Sequence, residues 1–365
     1  MRIIDDPVID VPVDVWASPA CECLLALHCA TQHDEGRAQQ LEIGAEWFNE
    51  IRTSASPRLR ALLASCRARD GAKTTYWFQL MGLAMDAPLD VPSLLERLRA
   101  APPDDVWRLM LGAHRTVDPD AELLAAIADA GHGRVEPLRR LLARDGRAKS
   151  KGFLEVVRLF GDPATAKSVV IETLERWYDE AFRTRWPELQ PFLEGAAEHA
   201  RRLGEELGNA DLVEHVTNGM EHVAEAGVDR LLLVPTYVGR PWVYRGRHLR
   251  TLVYVYPVGE DVLAVSPQEA RQRRLLRVVR ALGDETRLRA LHRLAEQTST
   301  LQELADALGI RKSLMHHHLA VLRSAGLLRV HLGLRYSLRT SAVGELSLLL
   351  GAYLGLATGR PRRRP

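Results

Sequence analysis

The sequence predicts a mainly α protein on three observations: helix-period apolar runs fill its first two thirds, one later stretch is β-like, and the C-terminal part holds two short helices meeting at a glycine, followed by an alternating hairpin. The opening around Val8, Asp10, Val11 and Val13 alternates like a strand, and Ser18 with Pro19 supply an N-cap and a first helical position. Runs over 93–100, 121–130, 135–143, 166–184 and 193–207 then carry helical spacing, interrupted by breaks such as Ala101-Pro102-Pro103-Asp104. Between 229 and 265 the β-branched and aromatic segments LLLVPTYV, WVY and LVYVYPV predict a small sheet. Pro267 closes it, and an arginine-rich helix over 269–282 opens the last domain. The expected organisation is a helical domain over 1–268 ending in the small sheet, a second domain over 269–358, and a basic low-complexity tail over 359–365. Residues 1–268 are read as one unit or two; a boundary near Leu207 to Asp211 would carry no linker-like stretch.

A chain of 365 residues is long enough for two or three hydrophobic cores, and 46% apolar with 26% charged residues is the balance of a globular protein. No run approaches the roughly 18 apolar residues of a membrane span, and the acidic start MRIIDDPVID is unlike a secretory signal, so a cytoplasmic location without membrane contact is expected. The four cysteines, Cys21, Cys23, Cys29 and Cys66, are too few for a secreted disulfide framework and read as reduced thiols. A net charge of +2 conceals a division: residues 269–365 hold 18 Lys and Arg against 7 Asp and Glu, a balance of +11, and the rest holds 31 against 40, or −9. That split points to a polyanion met by the C-terminal part alone.

The segment LQELADALGIRKSLMHHHLA, starting at Leu301, has the spacing of two steeply crossing helices. Leu304, Leu308, Ile310 and Met315 fall where the helices must bury side chains, Ala305 is small where the backbones approach, and Gly309 supplies a left-handed turn. The second helix, over 312–325, has an inward stripe of Met315, His318, Leu319 and Leu322 and an outward face with Lys312, Ser313, His316, His317 and Arg323. On DNA its N-terminal half would enter the major groove. Ser313, Leu314, His316 and His317 would meet base edges or thymine methyls there, and Arg311, Lys312 and the helix N-terminus would meet phosphates. The plainer alternative is an ordinary helix pair with a solvated polar face; the basic surroundings and the hairpin that follows favour the first. That hairpin runs from Gly326 to Leu338 and hinges at Gly333. A helix-turn-helix followed by a hairpin is a winged helix. His331 and Arg335 near the tip are either contacts to the DNA backbone or minor groove, or surface residues on a solubilising edge. The predicted fold class is thus a helical N-terminal domain with a small β-sheet, followed by a C-terminal winged helix-turn-helix.

LGDETRLRALHRLAEQTSTLQELADALGIRKSLMHHHLAVLRSAGLLRV resembles the signature of the ArsR-like winged-helix repressors, in which an LxDxTRLxIL helix precedes the helix-turn-helix and an HLxxLxxAGL segment leads into the wing. Asp284 reads as the N-cap of the helix carrying Arg287, and the match implies that Arg287 lies near the DNA backbone or in the helix packing. The resemblance also implies a homodimer joined through the amphipathic segment 341–358, bound to double-stranded DNA at an inverted-repeat operator. Two departures stand out. The wing is a few residues short. Thr300 and Gln302 occupy the positions of the paired cysteines in metal-sensing members, and the last helix lacks the Asp, His and Glu ligands of zinc sensors, so no metal and no cofactor are expected. The front part loosely resembles the helical extension of some larger ArsR-like regulators, in SPACECLLALH from Ser18 and LLLVPTYV from Leu231. This implies an effector or protein-interaction domain.

Other clusters carry competing readings. Cys21, Cys23, His28, Cys29 and His33 invite a metal or thiol-switch reading, but Cys21 and Cys23 diverge by about 200° on a helix, which favours buried thiols acting as small hydrophobes. His316, His317 and His318 diverge by about 100° each and cannot chelate together; His316 and His317 would make DNA affinity fall as pH rises. Trp107, Trp177, Tyr178, Phe182, Trp186 and Phe192 either line a small-molecule effector pocket or form plain core. No phosphate loop, nucleophile elbow or HExxH motif occurs, so an enzyme is not expected. The expected function is sequence-specific transcription regulation, as a repressor controlled through the N-terminal domain. The alternative is a catalytic or protein-binding front domain, with the winged helix as a dimerisation adaptor.

Overall fold

The computed structural model describes residues 11–32, 41–68, 74–115, 120–144, 150–331 and 333–356. Val8, Asp10, His33 and the 359–365 tail lie outside the described residues. Helix accounts for 65% of the structure. The chain forms two compact units, one of Val11–Ala197 with Ala226–Pro257, the other containing Glu198–Glu225 and the chain from Val258 onward. The division is therefore not a single cut near 268, because Glu198–Glu225 joins the C-terminal unit.

In the first unit, β1 (Val13–Val15) precedes α1 (Pro19–Gln32). Ser18 Oγ accepts the Cys21 N–H at 3.3 Å, as the Ser-Pro start predicts. The same device recurs at α2 (Gly44–Ser54) to α3 (Pro57–Ser65), where Ser56 Oγ accepts from Leu59, and at α4 (Pro163–Trp177), where Asp162 accepts from Thr165. Helices Val91–Ala100, Pro103–Met110, Ala121–Gly131, Glu136–Arg144 and Ser150–Phe160 lie between. The sheet holds β2 (Arg230–Thr236), β3 (Tyr244–His248) and β4 (Thr251–Pro257) in the order β1-β2-β4-β3, with β1 and β4 parallel to β2 and β3 antiparallel to β4. From their second residue on, β2 and β4 are buried, which is why both read as continuous apolar runs. α1 is nearly all buried and carries Glu22 inside, whose Oε1 accepts the N–H groups of Tyr237 and Val238 at 3.0 and 2.8 Å beyond the end of β2.

The second unit contains α5 (Asn209–Val216), the short helix Glu260–Leu263, and α6 (Pro267–Leu282). Pro267 proves to be a first-turn proline of α6, capped by Ser266; the strand register ends earlier, at Pro257. Then follow α7 (Glu285–Glu296), β5 (Ser299–Thr300), α8 (Leu301–Leu308), α9 (Lys312–Ser324), β6 (Leu328–His331), β7 (Arg335–Leu338) and α10 (Thr340–Tyr353). Ala290, Leu294, Leu304, Met315, Leu322 and Leu328 meet in one core beneath the sheet β5-β7-β6.

Candidate nucleic-acid interface

The two helices of the motif are fixed by local chemistry. Thr300 and Glu303 form a reciprocal capping box: Thr300 Oγ1 accepts the Glu303 N–H at 3.2 Å, and Glu303 Oε2 accepts the Thr300 N–H at 2.7 Å. The side chain standing where metal sensors carry a thiolate thus starts a helix here. Gln302 donates to Asp306 along the same turn at 2.8 Å. Gly309 ends α8 in the left-handed region, φ 65° and ψ 31°, and the Ile310 N–H reaches back to Ala305 at 3.1 Å. Leu304 and Met315 are fully buried, with Leu308 and Ile310 partly so.

The face of α9 divides as the 3.6-residue period requires. Met315, His318, Leu319 and Leu322 are buried, whereas Arg311, Lys312, Ser313, Leu314, His316 and His317 are exposed, Leu314 at 42%. No side chain caps the α9 N-terminus, where Arg311 holds an extended conformation, so its first N–H groups and the positive end of the helix dipole point outward. Among the described residues Arg311 and Lys312 enter no ion pair, so the basic end is not neutralised from within. Arg323, at the far end, is half-buried with its charge beside Tyr336.

Behind the helix, Asp284 and Arg287 lock α6, α7 and α9 together. Asp284 Oδ1 accepts the Arg287 N–H at 2.9 Å, capping α7, and Arg287 turns its guanidinium onto the terminal carbonyls of α6, Ala281 at 2.5 Å and Arg280 at 2.9 Å. Of the two roles implied for Arg287, this geometry is that of helix packing. His318 lies 3.8 Å from Asp284, and burial pulls its imidazole below the ordinary value. The cap and its cationic neighbours hold the Asp284 carboxyl low in turn, the Arg287 N–H contributing most.

The wing gives His331 and Arg335 partners within the protein. Met220 bridges Val330 in parallel, with the Val330 N–H donating to Gly219 at 2.8 Å and the Glu221 N–H to Val330 at 2.9 Å, so the outer edge of β6 is already paired. Arg329 pairs with Glu214 of α5. His331 is held from both sides, Nδ1 against Glu221 Oε2 at 3.1 Å and Nε2 against Ser337 Oγ at 2.8 Å. Arg335 donates to the Thr298 carbonyl at 2.7 Å and pairs with Glu303 at 3.3 Å. Both side chains have partners inside the protein, His331 through the acidic segment upstream that folds onto the hairpin and Arg335 through the start of α8 and the residue before β5. Sequence reading missed Glu214, Gly219 and Glu221; the signal for them was the turn dipeptide Asn218-Gly219. Glu198–Glu225 brings seven acids against two bases and Val258 to Gln268 two acids more, which reduces the +11 of the C-terminal part to +4. Arg311 and Lys312 at the start of α9 are among the bases left without an ion pair to the described residues.

A three-helix core with a glycine-hinged helix pair, an exposed second helix and a hairpin behind it defines a winged helix-turn-helix, a class of DNA-binding fold. Residues 284–330 match the family model described as bacterial regulatory protein, arsR family, so the C-terminal unit carries an ArsR-type helix-turn-helix of a DNA-binding regulatory family. No curated protein and no solved structure matches the chain.

The remaining candidates lie in the first unit. Cys21, Cys23, Cys29 and Cys66 are buried free thiols, and burial pushes Cys21 to about 11 and Cys29 to about 12, so both are protonated and unreactive at neutral pH. Among the described residues no three His, Cys, Asp or Glu side chains converge as metal ligands. Trp107 is core, its indole N–H donating to the Ile127 carbonyl at 3.0 Å, and Phe182 is buried against Trp186. Phe192 stacks on Tyr237. Trp177 is buried and forms part of a pocket wall. No described helix is long and apolar enough to cross a membrane.

Proposed function

We propose that the protein is a sequence-specific transcription regulator that acts as a homodimer and reads an inverted repeat with α9 of each subunit, under control of its front unit. The observation that carries this is the exposed, uncapped, unneutralised start of α9 within an ArsR-type motif. Arg311, Lys312 and the helix N-terminus suit phosphates; Ser313, Leu314, His316 and His317 suit base edges and thymine methyls. The dimer is supported by apolar side chains left exposed on the adjoining helices α6 and α10, among them Leu276, Val279, Val343, Leu348 and Tyr353. Repression is the sign of regulation that the resemblance carries.

The test is selection of bound sequences from random double-stranded DNA with the full chain at two salt concentrations, alongside light scattering. An enriched inverted repeat, a steep loss of affinity with salt and a two-chain mass support the reading. Binding without sequence preference contradicts it and favours the adaptor alternative, whereas a lone chain at working concentration contradicts the dimer in both readings.

A further inference from the structure

We propose that the pocket formed by α1, α2, α3 and the end of α4 binds a small apolar carboxylate. The cavity measures about 160 Å³, room for a small organic molecule. Its walls are hydrocarbon and aromatic: Phe48 and Ile51 from α2, Leu63 from α3 and the fully buried Trp177 that ends α4. Its polar lining is cationic, supplied by Arg52, Arg60 and Arg67. An apolar chamber bordered by guanidinium groups matches an amphipathic anion, whose apolar body leaves water while its carboxylate takes charge-assisted, bidentate hydrogen bonds.

The neighbouring charges sharpen the assignment. Among the described residues Arg52 and Arg60 donate to neutral acceptors, the Asn49 side-chain oxygen and the Ala55 carbonyl, the latter at 2.5 Å. Two acids beside these helices are committed elsewhere. Glu172 pairs with Arg58 and Arg176, while Glu180 accepts from the Ser56 N–H at 2.8 Å and its hydroxyl at 3.0 Å. Two guanidinium groups beside an apolar chamber thus hold only neutral partners, which an incoming carboxylate would outcompete. The site gives a ligand class to the control by the front unit proposed above. It rests on that reading for its effect on DNA, and the binding itself does not depend on it.

The experiment is calorimetric titration of the full-length protein with octanoate and phenylacetate, with octanol and octylamine as neutral and cationic controls. One saturable site per chain for either carboxylate is expected, with octanol at least about tenfold weaker and octylamine silent. The double variant Arg52→Gln, Arg60→Gln should weaken carboxylate binding by about tenfold or more. Ala64→Trp places a ring in the cleft from an exposed wall position and should abolish binding while the ligand-free unfolding temperature holds. Failure of both carboxylates, equal binding of octanol, or titrations unchanged in both variants would overturn the site. DNA binding is measured separately, with and without the carboxylate. Carboxylate binding without DNA binding upholds the pocket and removes the regulator, whereas the converse removes the pocket alone.

Discussion

Helix α9 and the wing sit in one small unit and carry similar side chains, yet the fold treats them in opposite ways. On α9, Arg311, Lys312, His316 and His317 stand exposed at an uncapped helix start. On the hairpin, Arg329, His331 and Arg335 are matched by Glu214, Glu221 and Glu303, and the strand edge is closed by Gly219 to Glu221. The difference teaches that a basic or imidazole side chain near a hairpin tip is not yet a DNA contact. What decides is whether the protein has supplied a closer partner, since a phosphate must displace an ion pair that is already formed.

The comparison breaks most readily at Gly219. Its φ of +106° and the 2.2 Å that a Cβ would leave to the Leu328 carbonyl mean that Gly219→Ala cannot keep the bridge to β6. A loss of about 3 kcal/mol is expected, read as a lower midpoint in chemical unfolding. A midpoint equal to that of the parent protein would show that the acidic segment does not hold the wing. Leu348→Lys, on the exposed face of α10, should leave a single chain that meets only one half-site, with affinity for the inverted repeat down on the order of a hundredfold. Centrifugation beside a binding titration checks both halves of that statement.

Smaller effects sharpen the contrast. Lys312→Ala should lower affinity evenly across sequences and reduce the slope of log affinity against log salt by about one, the signature of a lost phosphate contact. An unchanged slope would take that residue out of the interface. The smallest effect concerns His318 beneath the helix. Burial depresses its pKa, with Arg287 and His317 adding to the shift and Asp284 opposing it. Above about pH 6.5 both folded and unfolded states carry it neutral and its contribution is complete. As pH falls below that value the unfolded chain takes up the proton first, and stability is lost toward the lower folded pKa. His318→Gln should therefore flatten the decline in unfolding midpoint between pH 7 and 5 by about 0.5 kcal/mol, and a steeper decline in the variant would reverse the sign argued here. His114, which burial holds down to about 3, carries the same sign in the first unit and should remain as background in both proteins.

Much of the architecture was legible because it depends on local rules. Gly309 at the turn, Ser18 and Pro19 at the start of α1, Asp284 as a cap and the inward stripe of α9 each follow from spacing or from one side chain's chemistry. The sheet was readable from the apolar runs of β2 and β4, although Pro267 looked like its end and is instead the first turn of α6. The partners of the wing were not readable, because Glu214 and Glu221 are more than a hundred positions from Arg329 and His331, and no periodicity reports a pairing across that separation. The charge split pointed to the part of the chain that carries the ArsR-type motif, but it overstated the basic excess for the same reason. It counted 269–365 alone, whereas the acids that temper that segment come from 198–225. The pocket was half legible. Of the six aromatics, only Trp177 stands in its wall, and the arginines that define its chemistry look like ordinary surface charge in the sequence.

The central claim is that α9 reads the DNA and the wing does not. It is tested most directly by measuring affinity for the selected operator and for a scrambled duplex with two variants side by side, His316→Ala with His317→Ala, and Arg335→Ala. The account predicts that the helix variant loses about 2 kcal/mol of operator binding and most of its preference over the scrambled duplex, while the Arg335 variant changes either affinity by less than about 0.5 kcal/mol. A helix variant that keeps its preference, or a loss at Arg335 as large as that at the histidines, would contradict it.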